Sequence, residues 1–329
     1  MTAILKDKSE KDCLAGYSRA VFRKGRNRCM TRLLKDLKKN RTKYLLIIPI
    51  IIYIFIFCYK PMYGLIIAFK DYIPAKGIAD SEWVGFRNFT TFFKDHYFWR
   101  ILRNTFSLSS VTILFGFPAP IIFALLLNEI KNKKFKRVVQ TISYMPYFIS
   151  MVVVCGLIRV FTQSDGLLSH FITAFGGTPT NLLSNKEYFY PIYVISEIWQ
   201  TIGWDSIIYL AALTGISPEL YEAARVDGAG RFRQMISITI PGLMPTISVL
   251  FILRMGGILN VGFEKVLLLY SPSTYEVADI ISTYVYRIGV LDANYSYSTA
   301  IGMFNSVVCV LFLGITNHIS KKVNENSLF

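Results

Sequence analysis

A polar stretch, Ser217–Pro245, interrupts the long apolar runs of this chain. In hydrocarbon its charges and its turn would lack hydrogen-bonding partners, so the stretch must lie at a water-facing surface. Ser217 and Pro218 are typical of a helix start, and Asp227-Gly228 is typical of a helix end, because glycine tolerates the left-handed conformation. A second helix is expected to run into Pro241. The pattern predicts a folded helix–turn–helix that docks another protein.

The apolar runs on either side set the fold class. Of the 329 residues, 53% are hydrophobic and 17% are charged, whereas a soluble domain averages about 25% charged residues. A transmembrane helix needs roughly 20 apolar residues. We therefore predict an all-α integral membrane protein with six transmembrane helices. The predicted spans are, approximately, 44–64, 102–128, 143–162, 188–213, 244–270 and 298–317.

The positive charge is concentrated at the N-terminus. Residues 1–43 hold 14 of the 36 Lys and Arg residues, with four acidic residues. No RNA-reading motif accompanies them, so we expect contact with anionic lipid headgroups rather than with nucleic acid. Met30, Leu33, Leu34 and Leu37 follow a helical spacing with lysines between them. This predicts a basic amphipathic helix in the membrane interface, with a soluble docking helix as the alternative.

The distribution of basic residues predicts the orientation of the chain. The termini and the loops on their side of the membrane, including Ser217–Pro245, hold 24 Lys and Arg residues, against nine on the other side. Cytoplasmic loops carry the excess of Lys and Arg in membrane proteins. Both termini and the polar stretch are therefore predicted to be cytoplasmic.

No catalytic pattern is present in the sequence. The three histidines lack the spacing of a metal site, the five cysteines form no CxxC pair, and there is no P-loop. We expect neither an enzyme nor a bound cofactor or metal. Energy for any transport must come from a partner.

The polar stretch carries a longer motif. Glu222-Ala223-Ala224, three residues, Gly228, nine residues, and Ile238–Pro241 resemble the EAA loop of ABC importer permeases, with Ile240 where leucine is usual. In that family the loop is a coupling helix that sits in a groove of the cytoplasmic ATPase. The resemblance implies a set of ATPase-coupling residues: Glu222, Ala223, Ala224, Asp227, Gly228 and Pro241.

The resemblance covers most of the chain. Residues 101–317 resemble the type I transmembrane domain of binding-protein-dependent importers. Five further segments resemble the carbohydrate branch, particularly permeases for polysaccharide fragments or complex oligosaccharides: Tyr59–Gly64, Ala68–Tyr72, Trp83–Phe89, Leu259–Glu264 and Thr274–Gly289. The expected domains are a basic cytoplasmic segment with the amphipathic helix (1–43), the first transmembrane helix and its outer loop (44–100), the transmembrane domain with the coupling loop 217–241 (101–317), and a cytoplasmic tail (318–329).

This family implies a permease subunit of an ATP-driven importer in the bacterial plasma (inner) membrane, which moves oligosaccharides or polysaccharide fragments inward by alternating access. The implied partners are a second permease subunit in a heterodimer, two cytoplasmic ATPase subunits, an extracytoplasmic sugar-binding protein and membrane lipid. A permease for a non-sugar solute, an ATP-independent channel or transporter, and a membrane enzyme or signalling partner remain as alternatives.

Polar residues inside predicted spans are candidates for the substrate path, because charges there usually face a cavity or a partner. These residues are Arg159, Glu197, Trp199 and Asn260. Ion pairing between helices and aromatic contacts with the membrane interface are the alternative interpretation. Glu197 and Asn260 are the strongest candidates for lining a path.

Overall fold

A computed structural model describes residues 39–324, apart from residues 177 and 179. The predicted amphipathic helix at Met30–Leu37 lies outside the described residues, as do residues 325–329 of the predicted tail. The chain forms two compact units, Met1–Leu65 and Ile66–Phe329.

The described residues are mainly helical. Helices α1 to α17 span, in order, Arg41–Ile54, Lys60–Met62, Gly77–Asp80, Arg87–Lys94, Phe98–Gly116, Pro118–Glu129, Lys133–Tyr144, Met151–Thr162, Leu167–Ala174, Lys186–Leu213, Pro218–Val226, Arg231–Gln234, Ile240–Gly256, Phe263–Leu269, Tyr275–Ala278, Ile281–Tyr286 and Tyr295–Asn324. Wider π turns lie at Phe55–Tyr59, Met235–Thr239 and Arg287–Leu291, and tighter 3₁₀ turns at Tyr63–Phe69, Met145–Phe148, Leu182–Ser184 and Pro272–Thr274. Strands β1 (Lys70–Asp71) and β2 (Glu82–Trp83) pair antiparallel.

Five helical runs among the described residues are long and apolar enough to cross a membrane. They are Arg41–Phe69, Phe98–Glu129, Met151–Ala174, Arg231–Gly256 and Tyr295–Lys322. Helix α10 is long enough at 28 residues, but it carries Glu197 and Asp205 in its middle. The predicted fourth span corresponds to α10, and the count of six spans stays a prediction.

The helical run that begins with α1 has no buried residue between Arg41 and Ile54. Leu45, Ile51 and Phe55 are all more than half exposed. A helix that is apolar on every side belongs in lipid or against another apolar surface. This run therefore fits the predicted first transmembrane helix.

The loop that follows, predicted to be extracytoplasmic, is held by a short hairpin. Strand β1 pairs with β2, with Lys70 opposite Trp83. The Phe69 ring stacks on Trp83 at 5.7 Å, and the Asn88 amide donates to the backbone oxygen of Ala68 at 2.9 Å. Two of the segments that resemble the carbohydrate branch, Ala68–Tyr72 and Trp83–Phe89, thus form one folded unit.

Two predicted boundaries are wrong. The loop predicted at 129–142 is largely helix α7, which begins where the Asn132 side chain accepts from the N–H groups of Lys134 and Phe135. The fifth predicted span, 244–270, ends as a helix at Gly256. Residues 257–262 are non-helical, because the Gly256-Gly257 pair weakens the helix and other side chains capture the freed backbone groups.

Polar side chains on one face of α5 bind the backbone at this break and in the segments that follow α14. The Ser109 hydroxyl donates to the backbone oxygen of Ile258, and the Asn104 amide donates to the backbone oxygens of Glu276 and Asp279 at 2.9 and 3.1 Å. The Thr105 hydroxyl accepts from the N–H of Ile281 at 2.9 Å. The bond from Ser109 replaces one that a continuous helix would have made at Ile258.

The apolar core surrounds the broken segment. One cluster packs α10 against α8 and α14, and includes Phe189, Tyr193 and Val266. A second cluster packs α4 and α5 against α16 and α17, and includes Phe92, Ile101 and Tyr284. The broken segment is therefore held from both sides by buried side chains.

Asp95, in the loop before α5, receives two hydroxyl donors from the far end of the chain. Tyr284 and Tyr297, both less than a tenth exposed, donate to its carboxylate at 2.6 and 2.5 Å. Burial raises the pKa of the Asp95 carboxyl, but the hydrogen bonds from Tyr284, Tyr297 and the Tyr97 backbone together hold it below its ordinary value of 3.8. The carboxylate therefore stabilises the fold as long as it is ionised.

We predict that Asp95→Ala lowers the free energy of unfolding by about 2–4 kcal/mol, because two buried hydroxyls lose their acceptor. Thermal unfolding of the purified protein at neutral pH measures this. A folded-state pKa below the unfolded value gives stability that is present above pH 3.8 and lost as the pH falls further. The difference in the free energy of unfolding between the wild type and Asp95→Ala should therefore shrink as the pH falls below 3.8.

Asp71→Ala is the matched control, since Asp71 forms an exposed ion pair with Arg87 at 3.6 Å. Such surface pairs contribute about 0–1 kcal/mol. Equal losses for the two variants would contradict the structural importance of Asp95.

Candidate functional site

The polar stretch forms the predicted helix–turn–helix. Helix α11 begins after Ser217, whose hydroxyl accepts from the N–H of Glu219 at 3.3 Å, and Pro218 occupies the first turn. At this position proline loses no hydrogen bond, and the negative charge of Glu219 is favoured by the helix dipole. The start of α11 is thus fixed by its own sequence.

The end of α11 is equally well defined. The N–H of Gly228 donates to the oxygen of Arg225 at 3.0 Å, and the N–H of Ala229 donates to the oxygen of Ala224 at 2.8 Å. This pair of bonds is a Schellman cap, which requires a left-handed residue, and Gly228 has φ +73°. The glycine therefore sets the direction in which the chain leaves α11.

One contact joins α11 to the turn that leads into α13, and two further contacts hold the neighbouring connections. The hydroxyls of Tyr221 and Thr239 lie 3.0 Å apart, and the Gln234 amide donates to the backbone oxygen of Ala229 at 2.7 Å. A Cβ at Gly242 would lie 2.7 Å from Ile216, so the base of α13 packs closely against the connection between α10 and α11. Tyr221 of α11 is therefore held against the turn at the base of α13.

The structure brings five of the six predicted coupling residues together. Glu222, Ala223 and Ala224 lie on α11, and Asp227 and Gly228 form its end. Of these only Ala224 is half-buried, and the others are exposed. Pro241 lies apart, in the first turn of α13.

Exposed apolar side chains surround these residues. Leu220 and Val226 on α11 are 53% and 89% exposed, and Phe232 on α12 is 71% exposed. Apolar side chains clustered on an otherwise polar loop mark a surface that binds another protein. Sequence reasoning identified the EAA residues but not these three neighbours.

A second candidate site lies among α5, α10 and α13. Two cavities, of about 350 and 260 Å³, share three lining residues: Thr112, Glu197 and Arg254. The larger cavity reaches Asn260 in the unwound segment, and the other reaches Asp205 and Gly116 further along α10 and α5. Together they form one polar groove.

Glu197 pairs with a residue that sequence reasoning missed. The Lys265 ammonium lies 2.9 Å from the Glu197 carboxylate and donates to the backbone oxygen of Tyr193 at 3.2 Å. The Lys265 side chain is fully buried, whereas that of Glu197 is 22% exposed and lines the groove. A lysine inside the predicted span 244–270 was the signal that could have found this pair.

The other predicted path residues are distributed around the molecule. Asn260 lines the larger cavity and accepts from the Asn305 amide at 2.9 Å. Arg159 lines a separate cavity of about 180 Å³ with Asn181 and Tyr270. Trp199 lines none of the cavities described here and is 47% exposed. Glu197 and Asn260 therefore line the same cavity, whereas Arg159 and Trp199 do not line it.

We predict that Glu197→Gln destabilises the protein by about 3–5 kcal/mol, because it leaves the buried Lys265 ammonium unpaired. The double variant Glu197→Gln/Lys265→Met should recover most of this loss. Thermal unfolding of the three proteins in one detergent tests both statements.

The control is Glu276→Gln, which breaks the exposed pair between Glu276 and Lys186 at 3.0 Å. This change should leave the melting temperature unaltered, since the pair is solvated. If Glu197→Gln behaves like the control, the ion pair does not stabilise the groove wall.

Comparisons with known proteins agree with this geometry. Residues 116–325 match the family model described as "Binding-protein-dependent transport system inner membrane component". The chain is 47% identical to Protein LplB of Bacillus subtilis over 89% of this chain and 92% of that protein. It is 44% identical to the polygalacturonan/rhamnogalacturonan transport system permease protein YteP of the same organism, over 94% and 96%.

A solved structure is similar along nearly the whole chain. It belongs to a bacterial ABC transporter involved in the import of the acidic polysaccharide alginate, with 46% identity, a TM-score of 0.82 and coverage of 89% of this chain and 99% of that chain. A second structure of an alginate ABC transporter, in complex with an alginate pentasaccharide-bound periplasmic protein, has 45% identity, a TM-score of 0.83 and coverage of 90% and 100%. This chain therefore belongs to the family of binding-protein-dependent transport system inner membrane components.

Proposed function

We propose that this chain is the permease subunit of an ATP-driven importer that carries oligosaccharides or polysaccharide fragments into the cytoplasm. In this proposal the chain itself is not catalytic, and ATP is hydrolysed by a partner that binds α11. The proposal rests on one observation: a single helix connects the exposed surface of α11 to the polar groove.

That connection is α13. Its base is bound to α11 through the Tyr221–Thr239 contact, and its last turn carries Arg254, which lines the groove. Helix α13 has 17 residues and is therefore about 25 Å long. A displacement at α11 would reach the groove through one rigid element.

The docking surface suits a soluble ATPase. Ser217 and Gly228 hold α11 at both ends, so binding does not need to order it. Glu222 and the exposed side chains of Leu220 and Val226 offer both charge and apolar area. We assign the coupling role to Glu222, Ala223, Ala224, Asp227 and Gly228, with Pro241 at the start of α13.

The groove also implies a second permease subunit. Arg254 and Asn260 are exposed in the isolated chain, and Asn305 is half-buried, although all three lie within or next to apolar helices. Lipid cannot satisfy such groups, so another protein surface or a water-filled path must cover them. Two permease subunits facing each other would close the groove into a path.

The sugar assignment is supported by aromatic residues in a separate cavity beside the groove. A further cavity of about 430 Å³ is lined by Phe263, Tyr286 and Tyr295 together with Ser298 and Asn305. Ring faces pack well on the apolar faces of sugars, and hydroxyl and amide groups can bind sugar hydroxyls. Asn305 bonds to Asn260, so this cavity adjoins the larger cavity of the groove.

The proposed mechanism is alternating access. Closure of the ATPase pair around ATP would draw the docking helices together, and α13 would turn the groove outward. An extracytoplasmic binding protein would then deliver the sugar. ATP and sugar can shift this equilibrium only through unequal affinity for the two states. The role of α11 is to make ATP affinity depend on the state of the groove.

We predict that Gly228→Pro abolishes sugar uptake and copurification of the ATPase while the chain still inserts. Proline cannot adopt φ +73° and has no N–H to donate to Arg225, so the cap of α11 is lost. Glu222→Lys should have the same effect by reversing a charge on the exposed face. Uptake assays in cells and affinity purification of the complex measure both results.

Gly230→Ala provides the matched control. Gly230 has φ −67° and no atom within 4 Å of an added Cβ, so alanine is compatible with its conformation. Uptake and ATPase binding should remain at the wild-type level. Normal uptake by Gly228→Pro and Glu222→Lys would contradict the coupling role of α11.

A further inference from the structure

Arg254 occupies an unusual place in the groove. It lies in the last turn of α13 and lines both of the cavities that meet at Thr112 and Glu197. Its guanidinium is exposed and makes no hydrogen bond or contact ion pair with any residue that the structure describes. A cation with five N–H donors therefore faces the groove without an acceptor.

The depth of Arg254 makes this arrangement costly. It is 14 residues beyond the start of α13 at Ile240, which corresponds to about 21 Å along the helix. If the span enters the membrane at Ile240, Arg254 lies inside the apolar core, which is about 30 Å thick. The dipole of α13 favours a cation at this end, but it supplies no acceptor for the guanidinium donors. A charge kept at such a place is usually functional.

The neighbouring acidic groups do not neutralise Arg254 by contact. The Glu197 carboxylate already pairs with Lys265 at 2.9 Å. Asp205 lines only the 260 Å³ cavity and forms no ion pair with Arg254. At the junction of the two cavities, Arg254 is therefore the charged group left available for a ligand.

The geometry points to a carboxylate as that ligand. We propose that Arg254 binds the carboxylate of an acidic sugar and makes this path selective for oligosaccharides that contain uronate residues. A guanidinium fork matches the two oxygens of a carboxylate, whereas the hydroxyls of a neutral sugar offer no such charge. The Asn260 amide and the hydroxyl of Thr112 lie on the same walls and suit the uncharged parts of the sugar. This inference rests on the proposed function.

The test uses the complete transporter, with both permeases, the ATPase and its binding protein, in proteoliposomes. One probe is α-1,4-linked trigalacturonate, and the other is the same trisaccharide after reduction of its carboxyl groups. Arg254→Gln should lower trigalacturonate uptake about 10-fold or more, as expected for loss of a charge-assisted pair. Uptake of the reduced probe should stay near the wild-type value. ATP hydrolysis stimulated by the ligand-bound binding protein should also stay near its wild-type value.

Arg254→Lys keeps the charge and is expected to retain more trigalacturonate uptake than Arg254→Gln. The binding protein is a separate chain, so its affinity for each probe is the same for all variants. This affinity therefore cancels when the ratio of trigalacturonate uptake to reduced-probe uptake is compared between variants. If Arg254→Gln leaves the ratio of trigalacturonate uptake to reduced-probe uptake unchanged, the proposal is overturned. Equal loss of both uptakes would also overturn it, because that result indicates a structural role.

The same experiment distinguishes the proposed import of sugars from the selectivity proposed for Arg254. If the wild-type transporter takes up neither probe although its binding protein binds both, the proposed sugar import itself is contradicted. If it takes up the reduced probe at least as well as trigalacturonate, only the selectivity assigned to Arg254 is contradicted.

Discussion

A backbone that leaves the helical form at membrane depth must find its hydrogen bonds within the protein, because hydrocarbon offers none. In this chain the requirement is met by α5. Its polar side chains Asn104, Thr105 and Ser109 bind backbone groups between Ile258 and Ile281. The break after Gly256 places Asn260 on the groove wall and directs Lys265 toward Glu197. The geometry of the groove therefore depends on hydrogen bonds supplied by a helix far away in the sequence.

In the proposed mechanism, the docking helix α11 and the groove work as one unit. Short local signals define α11, namely the Ser217 cap and the left-handed Gly228. Long-range contacts define the groove. Helix α13 connects them, with Thr239 bound at its base and Arg254 at its far end. Because α13 is held closely at Gly242 against Ile216, the base of the groove has little freedom to absorb a movement of α11.

The part of this arrangement that could be predicted from the sequence is the part that is local. The capping residues and the Asp-Gly stop act within Ser217–Gly228, and the EAA motif extends only over residues 222–241, so these local signals placed α11 correctly. The run FEKVLLL continues the apolar pattern of the fifth predicted span, so its separation from α13 was missed. The partners that make the break possible lie about 150 residues earlier, and a single sequence does not reveal such contacts.

The same limit applied to the candidate path. Glu197 and Asn260 were identified as polar residues inside apolar runs, and the structure places both on one cavity. Arg159 and Trp199 satisfied the same sequence criterion but lie elsewhere. Whether a polar residue faces a cavity depends on which side of the helix it occupies relative to its neighbours, and that is set by tertiary packing. Lys265 is 68 residues from its partner Glu197.

The central claim is that α11 and α13 move as one rigid body that re-shapes the groove. Its most direct test is the distance between spin labels in the complete transporter, with the five native cysteines replaced. The first distance, between labels at Glu219 and Leu253, reports whether α11 and α13 keep their relative positions. The second distance, between labels at Leu253 and Trp99, reports the position of α13 relative to the start of α5. On ATP binding, the first distance should stay constant while the second changes. A change in the first distance with a constant second distance would contradict the account.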